Sequence, residues 1–261
     1  MCGRLTLHTP VLDWLMEFFP AYGEIWQGEI GQGEFWPQRI AAMAQKLPGI
    51  FEPRYNIAPT QAVLAVRQFQ ADAEPTLEAI RWGLVPPWAD SLKIAYSLIN
   101  ARAETIEEKP TYKPLLAHGR CVLLADGYYE WKQIENPNAK PSKQTYWIHR
   151  PETQPLALAC LWTSNHKALD GKPSHEPLLS TTIITTQAGP DTAPVHDRMP
   201  VVLADHTALA RWLSSHADWE SVKDLVCPAQ PGTLQTTRVT SKVNSVRNQG
   251  PELIEPETLD L

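Results

Sequence analysis

From Arg54 onward the chain is written in short runs rich in β-branched and aromatic residues, each bounded by Pro, Gly or Asn. They cover residues 63–69, 77–84, 121–125, 128–131, 144–149, 156–162, 181–186 and 200–203. Runs of this length and composition read as strands. Helical spacing is rarer. Thr9-Pro10 reads as N-cap and first turn of a helix carrying Val11, Leu12, Leu15, Met16 and Phe19, stopped by Pro20. Further helices are expected at 41–46, 101–108, 205–214 with Asp205 as N-cap, and 219–226. Strands outnumber helices and do not alternate with them, which predicts an α+β chain with a mainly antiparallel sheet flanked by helices.

No Pro/Ser/Gly linker or block of like charge divides the 261 residues, so one domain over 1–261 is expected, with 136–141 as a hairpin tip. An elaborated segment at about 23–50 changes texture, with Gly-Glu-Ile-Trp and Gly-Glu-Phe-Trp as near-copies. Two copies are too few for a repeat architecture.

Lys and Arg number 23 against 29 Asp and Glu, a formal net charge of −6. That excludes a protein that coats nucleic acid by bulk positive charge and leaves such a role to a local patch. No apolar run approaches the ~20 residues that span a bilayer, and Met1-Cys2-Gly3-Arg4 opens no secretory signal, so a cytoplasmic protein without a membrane partner is expected. Cys2, Cys121, Cys160 and Cys227 lie far apart, and none of the eight histidines forms a His-x-x-x-His pair. Reduced thiols, no zinc site and no cofactor follow.

Cys2 carries the sharpest chemistry. Aminopeptidases remove Met1 when the second side chain is small, which leaves a free α-amine and a thiol on one residue. Their reference pKa values are about 7.7–8.0 and about 8.5, so both serve as nucleophiles near neutrality. An aldehyde captured by the amine as an imine can then take the thiol at the same carbon, closing a five-membered thiazolidine. An internal cysteine cannot do this, because its nitrogen is an amide. Position alone also allows the bland reading, a chance second residue.

Six ordered blocks bear on that choice. They are Met1-Cys2-Gly3-Arg4, the stretch 54–60 (Arg-Tyr-Asn-Ile-Ala-Pro-Thr), the stretch 81–88 (Arg-Trp-Gly-Leu-Val-Pro-Pro-Trp), Ile99-Asn100-Ala101-Arg102-Ala103-Glu104, the stretch 125–131 (Ala-Asp-Gly-Tyr-Tyr-Glu-Trp) and His196-Asp197-Arg198-Met199-Pro200. With the block 246–254 they cover nearly the whole chain, and together they resemble the SRAP proteins, the abasic-site-processing group also labelled SOS-response-associated peptidases. The resemblance implies a barrel-like or branched sheet and a single unit acting as a monomer. It also implies covalent capture of abasic sites in single-stranded DNA through a thiazolidine at Cys2, a lyase-like Schiff-base chemistry.

Matched block by block, the resemblance makes Cys2 the crosslinking residue, Glu130 the glutamate, His196 the histidine and Asn100 a further active-site position. It makes Arg4, Arg102 and Arg198 holders of DNA phosphates or of the site itself. Trp82 and Trp88 are candidate stacking platforms, Trp88 the better one after Pro86-Pro87. His196 suits the proton that opens the cyclic hemiacetal, and Glu130 a proton taken from the Cys2 ammonium and returned to the departing hydroxyl. Each has a plainer reading: Glu130 an edge-strand residue, His196-Asp197-Arg198 a turn with a surface ion pair, Arg102 and Glu104 helix charges, Trp82 core. Cys121 and Cys160 read as core thiols. The main rival function is an N-terminal-nucleophile amidohydrolase or peptidase, and a second is a non-covalent reader of single strands. An expected basic surface gathers Arg4, Arg54, Arg81, Arg102, Arg198, Arg238, Lys242 and Arg247.

Overall fold

Five strands close into a ring in a computed structural model that describes residues 2–19, 35–67, 76–135, 142–171 and 176–257. They are β3 (Ala62–Arg67), β4 (Thr76–Trp82), β6 (Arg120–Ala125), β9 (Leu156–Asn165) and β10 (Leu178–Gln187). Around the ring the order is β10-β4-β3-β6-β9 and back to β10. An odd ring cannot be antiparallel throughout, since directions must return to their start. The one parallel step is β10 on β4, with Ser180 opposite Arg81 and Thr181 opposite Trp82. Val63, Leu64, Ala65, Val66, Leu77, Ile80, Val122, Leu123, Leu158 and Ile183 are buried there with Cys121 and Cys160, which are Cα partners across β6 and β9. The expected core thiols are found.

A second sheet runs in the order β13 (Gln235–Val239), β8 (Ser142–His149), β7 (Gly127–Ile134), β1 (Leu5–Leu7) and β2 (Arg54–Ile57). Only Asp126 separates β6 from β7, so the chain steps from barrel to second sheet over one residue. Asp126 is fully buried, and its carboxylate accepts from the backbone N–H groups of His8 and Thr9. Its own N–H donates to Thr6 O at 2.8 Å. A Cβ on Gly127 would run into the Trp147 indole nitrogen and lie 2.8 Å from Ile148 O, so the corner requires glycine.

Strand β10 then branches. Its C-terminal half pairs in parallel with β5 (Asn100–Arg102) and antiparallel with β11 (Arg198–Pro200). Two-residue β12 (Val202–Leu203) lies on β9. The α-helices are α1 (Val11–Phe18), α2 (Phe35–Lys46), α3 (Leu115–His118) and α4 (His206–Leu213). Asp205 caps α4 by accepting from Ala208 N–H at 2.8 Å, as expected. The α+β, barrel-like class is therefore the observed one.

Some local expectations change. Pro10 rather than Thr9 occupies the N-cap of α1, and no side chain caps it, since the proline ring carries no acceptor. Residues 101–108 are not an α-helix: Asn100–Arg102 is drawn onto β10 and only Ala103–Thr105 makes a 3₁₀ turn. Residues 219–226 likewise hold only the 3₁₀ turn Lys223–Leu225. The 136–141 tip and most of the 23–34 stretch, with Trp26, lie outside the described residues. Trp36 is buried against Phe19, ring centroids 6.2 Å apart, and caps the core. Among the described residues no helix is long and apolar enough to cross a membrane.

Candidate functional site

Four residues on or beside separate strands converge where barrel and second sheet meet. Cys2 precedes β1 and is fully buried. Asn100 opens β5, and its amide Nδ2 donates to the Cys2 carbonyl at 2.9 Å. Glu130 lies on β7, 2% exposed, two residues past Tyr128 and therefore on the same face of the strand. His196 precedes β11, with its Nε2 3.8 Å from Glu130 Oε2 and a quarter of its side chain exposed. The imidazole is the rim of the site and the thiol its floor.

Burial sets the protonation chemistry. It pushes the Cys2 thiol well above its ordinary value, and the nearby Glu130 charge adds to this. Burial also raises the Glu130 carboxyl, against the pull of neighbouring positive charge that includes His196. A carboxyl raised in this way takes and returns a proton closer to neutrality than a solvated one.

The His196 ring has two sets of partners. The Arg198 N–H donates to Nδ1 at 3.0 Å, which in the neutral ring leaves the proton on Nε2, towards Glu130. Asp197 Oδ1 lies 2.9 Å from the same Nδ1 and suits the protonated ring. One imidazole thus has a seat in either charge state.

The arginines do different work from one another. Arg4 Nη1 donates to Asn56 Oδ1 and to Val243 O, both at 2.7 Å, and Nη2 to Asn244 O at 3.2 Å. The buried Asn56 amide in turn donates to the carbonyls of Val243, Ser245 and Asn248. Arg4 and Asn56 therefore strap the 243–248 loop over β1 and β2. Arg54 donates to Ala62 O and Gln61 Oε1, and Arg81 to Thr60 O, so both brace one turn. Arg198 holds Glu104 bidentately at 2.7 and 3.0 Å and also donates to Thr185 O at 2.7 Å. Arg238 pairs with Glu257. The Arg102 side chain is exposed and makes no hydrogen bond or ion pair among the described residues.

The two tryptophans part company. Trp88 is 57% exposed beside a cavity of about 440 Å³ lined by Pro86, Pro87, Pro110, Thr111, Pro114 and Leu115. Trp82 is fully buried, and its Nε1 donates to Ile99 O at 3.0 Å. Its ring has no free face, so the stacking expectation for Trp82 is corrected: it is core, next to Ile99-Asn100.

Sequence reasoning did not single out Thr185, Glu104's grip on Arg198, or Tyr128. Thr185 sits opposite Arg102 on β5 and Pro200 on β11, and joins the two edges that bring Asn100 and His196 in. Only the branching of β10 shows this. Among the described residues no group of three His, Cys, Asp or Glu could hold a metal ion.

Fold and site define a closed-barrel protein with a buried cysteine at its second residue, set among proton-carrying side chains. The chain belongs to the SRAP family: the model described as SOS response associated peptidase (SRAP) matches residues 1–246. It is 34% identical over 256 residues to the abasic site processing protein YoqW of Bacillus subtilis, covering 98% of this chain and 99% of that one. It is 32% identical over 240 residues to the abasic site processing protein YedK of Escherichia coli, covering 88% and 99%. The abasic site processing protein HMCES of Gallus gallus is 33% identical over 237 residues, 80% of this chain and 67% of that one. A crystal structure of a Bacteroides thetaiotaomicron protein shares the fold, with a TM-score of 0.72 at 18% identity over 98% of this chain and all of that one.

Proposed function

We propose that this protein processes abasic sites in DNA, binding single strands as a monomer and trapping the lesion covalently at Cys2. The observation that carries the reading is the convergence of Cys2, Asn100, Glu130 and His196 at one buried place. The relatives' names, abasic site processing proteins, support it independently. Once Met1 is removed, Cys2 offers an α-amine and a thiol on adjacent carbons.

The raised thiol pKa orders the steps. The thiol stays protonated, so the amine is the first nucleophile. His196 passes a proton to the ring oxygen of the hemiacetal and takes one from the C1′ hydroxyl as the aldehyde opens. The amine nitrogen adds to C1′; its surplus proton goes to Glu130, and the carbonyl oxygen takes the His196 proton to become a hydroxyl. Glu130 returns the proton to that hydroxyl, water leaves, and C=N forms. The sulfur then adds to C1′, its proton passes to the now neutral His196, and the C=N pair falls back onto nitrogen. The sum is amine plus thiol plus aldehyde giving thiazolidine and one water. Ring closure removes the iminium electron sink that would otherwise expel the 3′ phosphate, so the strand is protected. Asn100 holds the Cys2 carbonyl and fixes the nucleophile. Arg102 is free for a phosphate, Trp88 for a base, and Arg4 and Arg198 order the site around them.

The test incubates purified protein with a single-stranded oligonucleotide carrying one abasic site, followed by denaturing electrophoresis. Wild type gives a slow-migrating adduct and Cys2→Ala gives none. Equal adduct from both proteins would overturn the reading, as would none from wild type. A glutaminase and peptide-cleavage assay on the same preparation separates the amide-hydrolysing alternative.

A further inference from the structure

The chain places a phenol at the site that none of the steps above uses. Tyr128 is fully buried, and its hydroxyl finds no hydrogen-bond partner among the described residues. It shares the β7 face with Glu130, whose carboxylate reaches His196. Its neighbour Tyr129 points to the other face and donates to Tyr55 O at 2.8 Å, so the strand does satisfy a phenol where it needs one only for structure. A second unpartnered polar atom is buried at the same cysteine: Asn100 Oδ1, on the side chain whose Nδ2 holds the Cys2 carbonyl. A buried polar atom that nothing ever meets is destabilising. A donor and an acceptor left open at one place are the complement of a hydroxyl group.

We infer that Tyr128 is a further catalytic residue of the Cys2 site, its hydroxyl donating a hydrogen bond to the oxygen on C1′ of the bound sugar. This rests on the proposed capture of an abasic aldehyde. The hydrogen bond holds the oxygen as charge gathers there during amine addition, and again as it departs as water. The phenol keeps its proton throughout; the two protons that leave with the water come from His196 and Glu130. Burial pushes the phenol well above its ordinary pKa, and the Cys2 and Glu130 charges add to this, which keeps it a donor over the working range.

Tyr128→Phe removes only the oxygen. The experiment compares wild type and Tyr128→Phe in single-turnover reactions with the abasic oligonucleotide, following adduct and, in parallel, imine trapped by borohydride. Intact-strand affinity, melting temperature and the rate of Cys2 alkylation by iodoacetamide are measured alongside. The expected result is adduct and imine formation slowed together by roughly tenfold, with affinity, melting temperature and alkylation unchanged. Wild-type rates from Tyr128→Phe would overturn the role and leave the trap standing. Slowing accompanied by a lower melting temperature or altered alkylation would make Tyr128 a packing residue and also overturn it. No adduct from wild type would overturn the trap, and the role with it.

Discussion

Glu130 shows what burial does to a single residue. Its carboxyl pKa is raised in the folded protein, so the folded state holds the proton more tightly than the unfolded chain. The stability this contributes is fully present below the ordinary carboxylate value of about 4.3 and is lost as pH rises through the raised folded value. Glu130→Gln, neutral at every pH, should therefore melt higher than wild type at pH 7.5, with the gain shrinking towards pH 4.5. Thermal melts at the two pH values check the sign. Adduct formation should be lost or strongly slowed in the same variant, so stability and activity part at this residue. The tryptophans make a second pair. Trp88→Ala should weaken binding to intact single strands by about 1–3 kcal/mol with the fold untouched, whereas Trp82→Ala should cost about 3–5 kcal/mol of stability. Titration with an oligonucleotide and urea denaturation read the two. The sequence singled out both rings, but burial separates them, and burial depends on strands distant in the chain.

Strands and helices depend on a few polar clamps. Arg120 opens β6 buried, and its guanidinium donates to the carbonyls of Leu116 and Ala117 in α3 and of Trp212, Ser214 and Ala217 at and beyond the end of α4. It closes two helix C-termini against the barrel, where last-turn carbonyls have no partners of their own. Arg120→Met should cost about 3 kcal/mol or more, because several buried carbonyls lose a charged donor at once; urea denaturation measures it. At the corner, Gly127→Ala should destabilise by a similar ~2–4 kcal/mol, since Trp147 is stacked on His149 at 3.9 Å and cannot yield. The central strands were legible to within a few residues, as their apolar runs are long. The edges were not. Leu5–Leu7, Arg54–Ile57, Asn100–Arg102 and Gln235–Val239 are short or polar, and are strands because a neighbour supplies hydrogen bonds. Asn100–Arg102 carries two candidate site residues, and the helix expected over 101–108 would have placed Arg102 wrongly.

Over the whole molecule the net charge of −6 constrains how the proposed single-strand binding would work. Most of the arginines once grouped as a basic surface are engaged within the chain, Arg4, Arg54 and Arg81 on carbonyls, Arg198 and Arg238 on carboxylates. If about three phosphates are neutralised, the logarithm of intact-strand affinity should fall with the logarithm of salt at a slope near −2, while the covalent adduct, once formed, survives salt. Fluorescence anisotropy at several salt concentrations, with adduct yield on gels, tests this pair of outcomes. The sequence by itself determined the α+β class, the candidate nucleophile at Cys2 and the identities of the residues that resemble a known site. Those follow from local composition and from side-chain chemistry, which each segment carries with it. Only the tertiary structure decided which arginines remain free, which tryptophan is core, and that Asn100, Glu130 and His196 share one place with the Tyr128 phenol. The physical reason is the closure of the ring and the branching of β10: pKa shifts, open donors and spent donors are set by neighbours that lie far away in the chain.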